Sequence, residues 1–237
     1  MGLRISAPLL AIGSISVLGM LPGMLPQARA SGGNPLFGHP HMQGSPLTLP
    51  AGRVVAGSSA AIGLTDFAEV GTNVVSDLYQ VYNASAKVQL LSTPDVAAAI
   101  SAGYQSYNPR NLVATNPDMT ITSWQPGATV AFALDPRLAA FVGGYYNSTT
   151  ATLTGTSATS YAHGTTSGAD LAWAYSPGKK SLGNVLAVGA TYDFDYQLYG
   201  VGLTHYWRTL RLGIHYYPNA TQSKVLPIIA GSAAFDL

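Results

Sequence analysis

The residues of this chain that could support chemistry are few, and their spacing matches no common catalytic motif. His205 and His215 are separated along the chain, and His39-Pro40-His41 places two imidazoles close together. The sequence contains neither a G-x-S-x-G nucleophile elbow nor an H-E-x-x-H motif. It also has no cysteine, which excludes a thiolate metal site and a thiol nucleophile. We therefore predict no catalytic residue, no cofactor and no metal site.

The register of the two later histidines argues against a shared metal ion. A two-residue turn at Trp207-Arg208 would place His205 opposite Leu210, so His205 and His215 would point to opposite faces of a sheet. His39 and His41 have no third ligand, and zinc usually takes three or four protein ligands. Asp170 and His215 could share one face, but the sequence does not fix their relative heights.

Composition limits the elements that can position these groups. Only 9% of the residues are charged, whereas soluble domains average about 25%. After residue 30, no run of ~18 apolar residues could form a membrane-spanning helix. Once Arg4 and Arg29 are set aside, nine basic and ten acidic residues remain, which argues against a nucleic-acid partner. This combination favours a β-barrel whose apolar residues alternate with small polar ones.

The first 30 residues have the pattern of a cleaved export signal. Arg4 supplies the positive region, residues 9–25 the apolar stretch, and Ala28-Arg29-Ala30 an A-x-A cleavage site. Glycines and prolines in the apolar stretch argue against an uncleaved membrane helix. We expect a removed signal peptide at 1–30, a Pro/Gly-rich arm or seam strand at 31–50, and a barrel at 51–237.

From residue 52 onward, runs of alternating character predict β-strands separated by turn residues. Most runs reach the ~9–11 residues of a tilted membrane strand, whereas ordinary strands peak near ~5–6. No stretch has helical periodicity. The predicted strands are 52–64, 67–76, 82–91, 96–107, 119–134, 138–147, 166–175, 183–193, 196–205, 210–217 and 225–237.

The two faces of the predicted strands differ in side-chain size. In the run 210–217, Leu212 and Ile214 share one face, and Arg211 and Gly213 share the other. The second face is rich in Gly, Ala, Ser and Thr, which fit the narrow interior of a small barrel. We therefore expect the small-residue face to point inward and Leu212 to point outward.

The connections suggest an orientation and a strand number. Alternate connections are short, while 108–118 and 148–165 are much longer, as in outer-membrane barrels with short periplasmic turns and longer extracellular loops. Bacterial single-chain barrels have an even number of strands, whereas the pattern yields an odd number of runs. Residues 34–49 therefore either contain a further strand at the seam or thread the lumen. We expect about twelve strands, with ten as the main alternative.

The ionisable residues that fall on the inward face of the predicted strands are candidates for lining the lumen. Glu69 and Lys87 lie on consecutive strands around a turn near Leu78, so we expect them to be opposite or diagonal neighbours. They could form a selectivity constriction, or a buried ion pair in a closed lumen; the cost of an unpaired inward charge favours the second. The lumen-lining candidates are Glu69, Lys87, Asp170, Asp193, Arg211 and His215.

Aromatic residues near strand ends predict the girdles that outer-membrane barrels have at the membrane interfaces. His205 is interpreted as an interface residue, since it lies beside two aromatic residues at the end of a strand. The membrane-interface candidates are Tyr206, Trp207, Trp173 and Tyr175.

Several of these features together resemble small bacterial outer-membrane proteins. They are the leader, the Tyr-rich alternating strands, the turns Leu64-Thr65-Asp66 and Leu134-Asp135-Pro136, and the ending Ala234-Phe235-Asp236-Leu237. That class usually ends in an aromatic residue, whereas here Phe235 is third from the end. The resemblance implies an all-β, antiparallel, up-and-down transmembrane β-barrel in the bacterial outer membrane. It also implies two partners: outer-membrane lipid, and the barrel-assembly machinery during biogenesis.

Three hypotheses for function remain open at this point. The first is a non-enzymatic outer-membrane barrel that acts as a narrow passive channel or as a structural or surface-interaction protein. The second is a membrane enzyme that modifies lipid or peptide. The third is a soluble secreted β-sandwich adhesin. The sequence specifies neither a solute nor an oligomeric state.

Overall fold

The fold is described by a computed structural model that covers residues 35–38, 45–112, 118–176, 184–207, 210–220 and 225–236. The predicted signal peptide at 1–30 and the His39-Pro40-His41 cluster lie outside these residues, as does Leu237. Within the described ranges, no helix is long and apolar enough to cross a membrane.

Twelve strands make up most of the described chain. Three short helical segments accompany them: a 3-10 turn at Pro35–Gly38, α1 at Val74–Leu78 and α2 at Pro109–Leu112. The strands are β1 Arg53–Gly57, β2 Ala60–Thr65, β3 Ala68–Thr72, β4 Tyr82–Ser92, β5 Val96–Tyr107, β6 Met119–Asp135, β7 Leu138–Leu153, β8 Thr159–Ser176, β9 Asn184–Asp193, β10 Leu198–Tyr206, β11 Leu210–Tyr216 and β12 Val225–Asp236.

Each strand pairs antiparallel with its neighbours in sequence, and β1 pairs with β12 as well as with β2. Residues 53–57 lie opposite 232–236, so the strand order returns to its starting point as a barrel. The structure confirms the predicted all-β, antiparallel, up-and-down architecture. The alternative of ten strands is wrong, since the described residues already form twelve.

The run 52–64, predicted as one strand, is a tight hairpin. It bends at Ser58-Ser59, so that Val54 pairs with Ile62 and Ala56 with Ala60. The hairpin supplies the even strand number, and the described residues of the arm, 35–38 and 45–50, contain no strand. It also puts the start of β1 at the same end of the sheet as the end of β12.

Two other predicted boundaries also change. The run 67–76 ends as a strand at Thr72, because the Asn73 side chain accepts a hydrogen bond from the Ser76 N–H and caps α1. The predicted absence of helix is therefore wrong at Val74–Leu78. The long connection 148–165 is mostly strand, since β7 and β8 stay paired up to Thr152 opposite Thr159. The β-branched threonines there favour extended backbone.

The two faces of the sheet differ as the alternation predicted. Leu203 lies opposite Val188 and Ile214, and all three side chains are exposed on the outside. Leu212 also faces outward, and Arg211 is buried on the inside. The inner face carries small buried residues that leave room for a filling segment, among them Ala97, Ala131, Ala139, Ala172 and Ala174.

Candidate functional site

Glu69 and Lys87 form a buried ion pair on the inner face of the sheet. They lie directly opposite each other in β3 and β4, with Lys87 Nζ 2.9 Å from Glu69 Oε1. Their side chains are 0% and 7% exposed, respectively. The pairing inferred from the sequence is confirmed at this position.

The same two side chains bind the main chain of the N-terminal arm. Glu69 Oε2 accepts a hydrogen bond from the Leu49 N–H at 2.6 Å. Lys87 Nζ donates to the carbonyl oxygens of Leu47 at 2.5 Å and Ser45 at 3.2 Å. We call this set, Glu69, Lys87 and the main chain of residues 45–49, the arm clamp.

Neighbouring side chains add further contacts to the arm. The Thr48 hydroxyl donates to the Asp66 carbonyl at 3.0 Å, and the Thr48 N–H donates to Gln89 Oε1 at 3.3 Å. The arm passes so close to β2 that a Cβ at Gly63 would collide with the carbonyl oxygen of Pro50. Asp66 and Gln89 were not singled out in the sequence; the alternating Leu47 and Leu49 in a Pro-rich segment were the available signal.

Apolar packing also holds the arm, including its first described residues at 35–38. Leu36, Phe37 and Leu47 are buried in one cluster with the small inner-face residues, and the Phe37 ring meets Phe141 edge-on at 6.3 Å. Residues 45–50 have no strand structure, and Leu49 is fully buried. In the described part of the arm, the seam-strand alternative is therefore wrong, and the segment runs through the interior.

A second group of ionisable residues lies across the interior, on β8 to β11. Asp170, Gly189, Gly202 and His215 are in register across these four strands, which fixes the relative position that the sequence left open. A Cβ at Gly189 would collide with the Asp170 carboxylate, and one at Gly202 with the His215 ring. The glycines therefore let both side chains lie flat against the wall. We call Asp170, Arg211 and His215 the polar face.

Arg211 differs from Lys87 in its surroundings. It is 5% exposed, yet its Nε and Nη1 atoms have no hydrogen-bond partner among the residues that the structure describes. Asp170 is near enough for an electrostatic interaction with Arg211. The polar face thus holds a buried cation whose donors are incompletely used.

Asp193, the remaining one of the six lumen candidates, has a structural role at the end of β9. Its Oδ1 accepts hydrogen bonds from the N–H groups of Asp195 at 3.1 Å and Tyr196 at 2.9 Å. Its Oδ2 accepts from the Thr166 hydroxyl at 3.2 Å. These bonds shape the turn between β9 and β10 and tie it to β8.

The interface candidates divide into two sets. Trp173 and Tyr175 are exposed on the outer face, where Trp173 packs on Tyr175 and Tyr175 packs on His205. The His205 ring centroid lies 3.9 Å from that of Trp207. Tyr206 is different, because it is 2% exposed and belongs to the interior cluster. The prediction for Tyr206 is wrong: alternation in β10 puts it on the face opposite His205.

The predicted register of the hairpin between β10 and β11 was off by two residues. His205 pairs with Leu212, and Tyr206 pairs with Arg211. A shift of two residues keeps every side chain on its face, so His205 and His215 still point apart. In the described ranges, no group of three His, Asp or Glu side chains could hold a metal ion.

Comparisons with protein-family models, with curated proteins and with solved structures give no match to this chain.

Proposed function

We propose that this chain is an outer-membrane β-barrel whose lumen is closed by its own N-terminal segment. Its role would be structural or surface-interacting, without catalysis. The observation that carries the proposal is the arm clamp, in which a buried ion pair of the wall binds the main chain of residues 45–49.

The distribution of side chains supports a lipid environment. Four charged residues of the described strands lie on the inner face, namely Glu69, Lys87, Asp170 and Arg211, whereas Val188, Leu203 and Ile214 are exposed outside. This is the reverse of a soluble domain, where exposed positions are mostly polar. The outward cluster of Trp173, Tyr175 and Trp207 suits an interfacial girdle.

The proposal also covers export, the surrounding lipid and membrane insertion. The leader at 1–30 would direct export and be removed, outer-membrane lipid would surround the strands, and the assembly machinery would insert the barrel. A β-sandwich adhesin is not supported, because all twelve strands belong to one sheet and a sandwich needs two.

Insertion and closure are tested by electrophoresis and flotation of the chain without residues 1–30. We expect protein refolded into phospholipid vesicles to float with them, and unheated and boiled samples to differ in mobility, because closure leaves no edge from which unfolding starts. Protein that stays soluble without detergent and shows one mobility would overturn the proposal.

A narrow channel along the polar face is a second candidate function. It is favoured by the incompletely used donors of Arg211, which would bind water or a passing anion. Conduction at rest with little response to changes in the arm clamp would support this channel over the closed barrel.

A further inference from the structure

The outer wall carries an apolar groove that the proposed function does not use. It has a volume of about 870 Å³ and crosses from β1 to β6. Ala84, Ala86, Ala102 and Trp124 are exposed along it. None of the described lining residues is charged.

Small side chains create this groove. Ile62 pairs with Val70, Val70 with Ala86, and Ala86 with Ala102, so one row of outward side chains shortens to methyl groups on β4 and β5. On the opposite wall the equivalent outward row is bulky, with Leu171, Val188 and Leu203. The outward row of β8–β10 therefore lacks the short side chains that form the groove on β1–β6.

The length of the groove fits an extended hydrocarbon chain. Six strands about 4.8 Å apart span ~24 Å. If the strands tilt by ~45°, the groove covers ~17 Å along the barrel axis, close to the ~15 Å of one leaflet's hydrocarbon. Its end on β5 and β6 carries the Tyr104–Trp124 pair, whose rings are 4.8 Å apart and suit the headgroup level.

A second copy of the chain fits this groove less well. Fourteen of the described residues line it, whereas a stable protein interface uses about 20–30 residues on each side. Two concave faces related by a two-fold axis would also leave a void between them, since such an interface must be self-complementary. The groove borders other outward apolar side chains, since the exposed Val88 and Ile100 lie next to Ala86 and Ala102 in β4 and β5, and this favours lipid.

We propose that the groove on β1–β6 binds one acyl chain of a membrane lipid, with the headgroup beside Tyr104 and Trp124. This inference rests on the proposed function, because it places the groove in the membrane. A lipid in this groove would be a bound ligand of fixed position, distinct from the mobile lipid around the rest of the wall.

Quenching of Trp124 fluorescence by a phosphatidylcholine with brominated acyl chains tests the proposal. Replacing Trp173 and Trp207 by Phe leaves Trp124 as the reporter, since the chain has three tryptophans. In detergent micelles we expect saturable quenching at one lipid per chain. Ala86→Phe should fill the groove and weaken the saturable phase at least about tenfold, ~1.4 kcal/mol. Val188→Phe, outward on the opposite wall, should leave it unchanged.

Quenching that rises linearly with bromolipid content, and equally in Ala86→Phe, would overturn the bound lipid. So would an Ala86→Cys variant that forms a disulfide-linked dimer in place of saturable quenching; the natural chain has no cysteine to confuse this result. Flotation and heat-dependent mobility of the same samples show separately whether the barrel inserts. An inserting barrel without saturable quenching contradicts the groove site alone, whereas a soluble chain contradicts the proposed function.

Discussion

The arm clamp and the polar face both bring charges into the same interior, but they satisfy them differently. In the arm clamp, Lys87 is bound by a carboxylate and two main-chain carbonyls. In the polar face, Arg211 is equally buried, yet two of its donor atoms have no partner within the described chain. A buried cation that binds one carboxylate and two carbonyl oxygens is held in one arrangement, whereas a cation with free donors offers them to water or solute. On the proposed function, the first region would close the lumen and the second would carry any residual permeability.

The largest expected effect is on the arm clamp. Lys87→Met leaves the fully buried Glu69 without its ion-pair partner, and should lower the free energy of unfolding by about 3–5 kcal/mol. Urea unfolding in lipid vesicles measures this loss. The double variant Glu69→Gln, Lys87→Gln should recover much of it, because neither side chain is then charged. Additive losses would show that the two residues are not coupled.

A smaller effect is expected in the glycine-lined wall of the polar face. Gly189→Ala would force the Asp170 carboxylate off the wall and cost about 1–3 kcal/mol. In an Asp170→Ala background the same change should be tolerated. Gly103→Ala is the matched control, since its Cβ would lie 3.6 Å from Gln125 in ordinary contact. Equal losses at Gly189 and Gly103 would contradict the stated role of the glycine.

Replacing the buried arginine should cost less than replacing the buried lysine. Arg211→Met removes two donor atoms without a hydrogen-bond partner, although it also removes the charge near Asp170, so the free energy of unfolding should fall by less than the ~3–5 kcal/mol expected for Lys87→Met. The same urea experiment compares it with Lys87→Met. A loss as large as that of Lys87→Met would mean that Arg211 is structurally bound and that the two regions are alike.

The smallest effect is expected at an exposed counterpart of these buried pairs. Hydrogen bonds from Asn108 and Thr154, with the nearby Arg110, hold the pKa of Asp118 below its usual range. Its contribution to stability is present above the unfolded-state pKa, about 3.9, and is lost as pH falls through the lower folded-state pKa. Asn108→Ala should raise the pKa of Asp118, measured by carboxyl NMR, with no measurable change in unfolding at neutral pH. An unchanged pKa would contradict the role of Asn108.

Features with a period of two were predictable from the sequence. Alternation placed Leu212 outside and Arg211 inside, since a strand can turn only one of its faces to a narrow lumen. The same parity put Glu69 and Lys87 on one face of neighbouring strands, and the connection 73–81, which contains α1, brings them opposite each other.

Features that depend on a turn or on tertiary packing were not predictable in this way. The bend at Ser58-Ser59 is short and has only Gly57 and no proline in the turn, so the first hairpin read as one strand. The turn between β10 and β11 is longer than the predicted two residues, which shifts the partner of His205 from Leu210 to Leu212. In the arm, alternation is limited to Leu47 and Leu49, and the arm's place inside the barrel is set by partners such as Gln89 that lie far along the chain.

Single-channel recording in planar bilayers tests the central claim, that the N-terminal segment closes the lumen, most directly. The chain without its leader should be closed at rest. The double variant Glu69→Gln, Lys87→Gln weakens the hold on residues 45–49 and should show open events, while Gly103→Ala should stay closed. A natural chain that conducts steadily, with the same conductance as the double variant, would contradict the account.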